Sequence, residues 1–102
     1  EYEALAKANE NSWRILFAIA NVFSYNEYFK EAIPMWQKTF DCMPKPRYTD
    51  SFEAMAQCCV RMGDHESAVE YYKKELELLR EDWGLKYGAE VDALEEKIRA
   101  LQ

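Results

Sequence analysis

The sequence predicts an all-α chain: two helix hairpins packed side by side as a short α-solenoid, closed by a C-terminal capping helix. Three observations predict it. Apolar residues return at three- and four-residue steps through most of the chain, which is the spacing of one helix face. Glycine and proline number three each in 102 residues, while Ala, Leu, Glu and Lys are common, a composition that favours helix. The stretch Asn26 to Phe40 is also written a second time, in the same residue classes, at Met62 to Leu76.

Taken in order, Tyr2, Leu5, Trp13, Leu16, Phe17, Ala20 and Phe23 predict a first helix over about residues 3 to 24. Asn9 to Ser12 carries short polar side chains that compete for backbone hydrogen bonds, so a fresh start at Trp13 is the open alternative. After the turn at Tyr25, Asn26 and Glu27, a second helix buries Phe29, Ala32, Ile33, Trp36, Thr39 and Phe40. Pro34 fits only an opening turn, where amides lack partners, so this helix is expected to start shortly before it; Pro44 and Pro46 end it. Asp50 and Glu53 have the spacing of a capping box ahead of the apolar stripe Phe52, Met55, Ala56, Cys59 and Val60. Gly63 supplies a left-handed stop and Asp64 a cap, and the next helix runs from about His65 to about Asp82, with Ala68, Val69, Tyr72, Leu76 and Leu79 inward. Gly84 and Gly88 bracket a connector, and Val91, Leu94, Ile98 and Leu101 mark the last amphipathic helix.

Charge and length exclude several classes. A chain of 102 residues fits a single domain, 1–102. It begins at Glu1 rather than Met and shows no signal-peptide pattern, as expected of a piece excised from a longer protein. Charges interrupt every apolar run before the roughly 20 residues a membrane span requires, so no membrane contact is expected. Thirteen basic against nineteen acidic residues give a net charge of -6, which repels a phosphate backbone, and no basic patch offsets it. Direct nucleic-acid contact is therefore not expected. Cys42, Cys58 and Cys59 are odd in number and lack framework spacing, which predicts reduced thiols and a cytoplasmic location.

The repeat can be read residue by residue. Phe29-Lys30-Glu31-Ala32 matches His65-Glu66-Ser67-Ala68, a ring follows four residues after each alanine at Trp36 and Tyr72, and the alanines lie 36 residues apart. The tetratricopeptide period is about 34 residues, and the loop Lys45 to Arg47 accommodates the difference. A helix pair leaves one apolar face bare until a neighbour stacks on it, and alanine permits the close approach that stacking requires. On these residues the chain resembles the tetratricopeptide family. Leu16, Ile19, Ala20, Phe23, Ala32, Trp36 and Pro44 fill the signature places of the first repeat, about 13–46. Phe52, Met55, Ala56, Cys59, Gly63, Ala68 and Tyr72 fill those of the second, about 49–82, and the capping helix covers about 89–101. Thr39 and Glu75 depart from a position where a small alanine is usual, and Arg80 stands where proline is usual.

The C-terminal stretch Tyr71-Tyr72-Lys73-Lys74, Leu78-Leu79-Arg80-Glu81-Asp82-Trp83-Gly84-Leu85, with Glu90 and Ala93-Leu94, looks like the bacterial transcriptional activator domain. Lys86-Tyr87-Gly88-Ala89 departs from the proline-serine-proline stretch common there. That resemblance implies a regulatory module of a transcriptional activator. It would act beside a DNA-binding domain outside this chain and contact that domain, a second protomer or transcription machinery. The alternative is a stand-alone peptide-binding scaffold.

Candidate chemistry is sparse. Adjacent Cys58 and Cys59 point about 100° apart on a helix and make no metal pair with His65, so core filling is expected of all three. His65-Glu66 opens like a zinc-protease helix, but Val69 stands where the second histidine belongs. The carboxylate pairs Glu95 with Glu96 and Glu75 with Glu77 are expected on solvated faces near their ordinary pKa. No phosphate loop, nucleophile elbow or dinucleotide fingerprint occurs, so neither an enzyme nor a cofactor is expected. What remains is a protein- or peptide-binding surface. Arg14, Phe17, Asn21 and Tyr25 from one helix are expected beside Asp50, Glu53, Gln57 and Arg61 from another, a mixed-charge groove for a mixed-charge ligand. Trp83 and Tyr87, with Tyr25 and Tyr28, are the aromatics the core pattern buries least and hence candidate partner anchors.

Overall fold

The computed structural model describes residues 12–102. Among these, five helices and no strand occur: α1 (Trp13–Tyr25), α2 (Phe29–Asp41), α3 (Asp50–Arg61), α4 (His65–Trp83) and α5 (Ala89–Leu101). Each helix packs on its neighbour in sequence, and α1 also touches α3. The described chain is therefore a slab, 40 × 31 × 16 Å, of two stacked hairpins with α5 laid against α4. This is the all-α, tetratricopeptide-like helical repeat that the sequence predicts.

The inward residues of each stripe make the core. Leu16, Ala20, Ala32, Met55, Ala56 and Ala68 are fully closed to solvent, so each crossing has a small side chain where backbones approach. Two continuous clusters result. One joins α1, α2 and α3 around Trp36, Phe40 and Phe52; the other joins α3, α4 and α5 around Tyr72, Leu79, Leu94 and Ile98. Phe40 and Phe52 meet at 4.4 Å between ring centroids across the inter-hairpin contact.

The turn inside each hairpin repeats with the same 36-residue offset as the alanines. In the first, Glu27 takes φ +64° and the Tyr28 amide donates to the Phe23 carbonyl at 2.8 Å. In the second, Gly63 takes φ +80° and the Asp64 amide donates to the Cys59 carbonyl at 2.8 Å. Both are left-handed helix stops that recapture an orphan carbonyl. Glycine adopts that conformation without steric cost; Glu27 does so while its carboxylate pairs with Arg61 of α3. The predicted cap at Asp64 is present, its side chain accepting from the Ser67 amide at 3.1 Å.

Several expectations need correction. Ser12 is extended (φ -106°, ψ 97°) and α1 begins at Trp13, so a single helix through Ser12 is replaced by the alternative start. The rest of that expected helix, with Tyr2 and Leu5, lies outside the described residues. Pro34 is the sixth residue of α2 rather than part of its opening turn. The helix tolerates it because Pro34 and Lys30, whose carbonyl loses its amide partner, both face solvent. The capping box does not form: Asp50 is already helical, and the flanking Thr49 has an αR backbone and makes no side-chain cap. His65 is exposed as the first residue of α4, whereas its counterpart Phe29 is half-buried. Phe29 is held under the Arg61 guanidinium, 5.2 Å from the ring centroid.

The inter-hairpin loop is bolted to the end of α4. Asp82 accepts from the Arg47 amide and Nε at 2.9 Å each and from Nη2 at 3.2 Å, and the guanidinium also lies 4.5 Å over the Phe40 ring. This donor set holds the Asp82 carboxyl at about 2, below the ordinary carboxylate value. The next residue, Trp83, donates its indole N–H to the Arg47 carbonyl at 2.6 Å.

Because Ala68 is fully closed to solvent within the core, replacing it with leucine is expected to overpack the crossing and destabilise the protein by about 1 to 3 kcal/mol. Urea unfolding followed by circular dichroism reads this directly, and an unchanged midpoint would contradict the assigned contact.

Candidate protein-binding groove

A concave groove runs between α1 and α3. Phe17, Asn21 and Ser24 form one wall, and Asp50, Glu53, Ala54, Gln57, Cys58 and Arg61 form the other. It consists of two adjoining hollows of about 160 and 210 Å³ that share Asn21, Trp36, Ala54 and Gln57. The floor is built from α2. Trp36 stands edge-on to Phe17 at 5.0 Å and donates its indole N–H to Ser24 Oγ at 2.8 Å, while Ser24 Oγ lies 3.7 Å from Cys58 Sγ. One polar chain thus links three helices beneath the groove.

Of the predicted groove residues, the structure brings Phe17, Asn21, Asp50, Glu53, Gln57 and Arg61 together as lining. Arg14 lies on the same stripe but turns back over the Trp13 ring, 5.0 Å from its centroid, and Tyr25 projects from the end of α1 at 88% exposure. Neither is part of the lining. Trp83 borders a separate cleft, and Tyr87 projects from the α4–α5 connector at 82% exposure. The groove has a charge gradient: Asp50 and Glu53 stand toward one end, and Arg61, paired with Glu27, toward the other.

The side chains offer little chemistry. None of the three cysteines is in a disulfide. Burial pushes the Cys58 thiol up despite its Ser24 contact, and burial first, then Asp64, pushes Cys59 to about 11. Both thiols are held protonated and apolar, the opposite of an activated nucleophile. Among the described residues no group of three His, Cys, Asp or Glu side chains is arranged to hold a metal ion, and no helix is long and apolar enough to cross a membrane.

Glu75 overturns the expectation of a solvated carboxylate. It is buried on α4, and its Oε1 has no hydrogen-bond partner. Desolvation, followed by the charge of Glu53, raises its pKa to about 8; Asp50 and Glu90 push the same way and Lys97 opposes them. Lys97 is also drawn toward Glu53 at 3.6 Å and over the Tyr72 ring. Helical period alone could have flagged Glu75, since it falls between the inward positions Tyr72 and Leu79; its charge suggested the wrong face. Thr39, 36 residues earlier, resolves the same position differently by donating to the Met35 carbonyl at 2.7 Å.

With this geometry in hand, the comparison with known families is specific. Residues 51–82 match the family model described as tetratricopeptide repeat. The segment spans nearly all of α3, its turn and nearly all of α4, and the match supports a tetratricopeptide repeat family for the chain. Repeats of this kind generally mediate protein–protein interaction and are typically non-enzymatic scaffolds. No curated protein matches the chain.

Glu75 makes stability pH-dependent in a defined direction. Its folded pKa lies above the ordinary 4.5, so the folded state keeps a proton that the unfolded chain releases. The contribution is fully present below about 4.5 and is lost as pH rises to about 8. Glu75→Gln is expected to flatten that slope and to raise stability relative to wild type at pH above the window. Parallel urea titrations across pH check it, and superimposable slopes for the two proteins would contradict the assignment.

Proposed function

We propose that this chain is a protein-interaction module whose α1–α3 groove receives a segment of a partner protein. The observation that carries the reading is the groove itself. Its floor is tied together by Trp36, Ser24 and Cys58, while its rims leave Asn21, Gln57 and the charged Asp50, Glu53 and Arg61 facing outward. An aromatic floor held by internal hydrogen bonds, with polar rims, suits a peptide backbone and its side chains. The rim gradient favours a mixed-charge segment, with basic residues toward Asp50 and Glu53 and an acidic one toward Arg61.

In its finer form the proposal is a regulatory module of a bacterial transcriptional activator, working in the cytoplasm beside a DNA-binding domain outside this chain. It would contact transcription machinery, that domain or a second protomer. The C-terminal resemblance supports this: Trp83-Gly84-Leu85 forms the stop of α4, with Gly84 left-handed and the Leu85 amide returning to the Leu79 carbonyl at 2.8 Å. The two buried, reduced thiols suit a reducing compartment. A stand-alone scaffold would use the same groove without the attached domain.

One measurement tests the groove and a second separates the two readings. A photo-crosslinking residue at Gln57, inside the groove, is expected to trap a protein partner in cells, while the same residue at exposed Lys38 of α2 does not. Equal yields, or none at Gln57, would contradict the groove. The reading frame around the chain tests the regulatory form: a basic winged-helix domain within about 100 residues before Glu1 is expected, and its absence leaves the scaffold.

A further inference from the structure

A second concavity, of about 390 Å³, is larger than either groove hollow and shares only Asp50 with them. Tyr48, Thr49 and Asp50 border it at the start of α3, Leu79 and Trp83 on α4, and Leu85 and Glu90 beyond the α4 stop. Tyr48 and Trp83 stack at 6.4 Å between centroids and 28° between planes, yet each remains about half exposed, at 50% and 47%. Burial does not account for two large rings held at a surface. Their placement is nevertheless fixed. The Trp83 indole is anchored on the Arg47 carbonyl, Arg47 is clamped three ways by Asp82, and Tyr48 follows Arg47 directly in the chain.

The charges around this cleft are one-sided. Its lining carries the carboxylates of Asp50 and Glu90 and no cation. Lys97 is engaged by Glu53 and Arg47 by Asp82. Asp50 and Glu90 also both raise the pKa of buried Glu75, which Lys97 opposes.

We propose that this cleft is a pocket for a basic side chain presented by a partner protein, taking arginine in preference to lysine. The aliphatic stem lies along Leu79 and Leu85, the guanidinium packs on the Tyr48 and Trp83 rings, and its N–H groups donate to Asp50 and Glu90. Each part matches an element of the side chain: apolar floor to methylenes, ring faces to a flat delocalised cation, carboxylates to its donors. The inference rests on the interaction reading only in drawing its ligand from a protein. The site meets the groove only at Asp50 and opens a second point of contact, which in a linked partner would raise avidity.

The test titrates acetyl-Gly-Arg-Gly-amide into the isotopically labelled chain and follows the indole N–H resonances by NMR. The Trp83 resonance is expected to move while that of Trp36, on the groove floor, stays in place. Replacing the arginine with neutral, isosteric citrulline is expected to weaken binding by about tenfold, and lysine by about threefold. The variant Glu90→Gln, which alters a carboxylate of the cleft and none of the groove, should weaken the arginine peptide and reduce its salt dependence. Equal affinity for the citrulline peptide, movement of Trp36 instead of Trp83, or no movement of Trp83 at tens of millimolar peptide would each overturn the proposal. Loss of the Gln57 crosslink would leave this outcome untouched, because the two experiments read different surfaces.

Discussion

Close approach of helix backbones at alanine is the constraint on which the rest depends. Ala20, Ala32, Ala56 and Ala68 are each sealed from solvent, and a longer side chain at any of them would drive its helix from its neighbour. Dense packing transmits such a displacement rather than absorbing it. Separation within each hairpin and between hairpins sets the distance from α1 to α3, and that distance defines the groove. The floor follows as well: Trp36 reaches Ser24 of α1 and packs on Phe17 because Ala32, one turn earlier, lets α2 sit low.

On this common frame the two repeats carry different chemistry at equivalent places. The left-handed turn is made by Gly63 in one and by Glu27 in the other, where Arg61 from α3 holds the glutamate. The eleventh residue of the second helix is a self-satisfied threonine in one repeat and, in the other, a buried glutamate whose Oε1 has no hydrogen-bond partner. These departures are local solutions to a shared backbone. Their consequences are not local, since Arg61 ties the first turn to the groove rim and Glu75 makes the stability of the whole fold depend on pH.

The helices and most of the core could be read from spacing, because burial on a helix face recurs with the helical period and alanine with the repeat. Leu16, Trp36, Met55, Tyr72 and Leu94 all point inward as their stripes predict. Six of the eight groove residues also follow from that geometry, being the outward positions of α1 and α3. What could not be read has no periodic signature. The Arg47–Asp82 clamp joins residues 35 apart through a loop whose path depends on the finished packing. Asp50 and Glu53 have capping-box spacing, yet the loop leading from that clamp brings Thr49 in with an αR backbone, so the box is not used. The buried state of Glu75 was hidden by its own charge, and the cleft beside Trp83 arises only when the ends of three segments converge.

The groove requires the hairpins to form one packed unit rather than two units in tandem, and native-state hydrogen exchange measures this most directly. Amides around Leu16 and Ala32 in the first hairpin, and around Met55 and Ala68 in the second, should open with one shared free energy and one shared denaturant dependence. A first hairpin that exchanges by a separate, lower-energy opening would show that α1 and α3 are not rigidly held across from each other, and the groove would lose its basis.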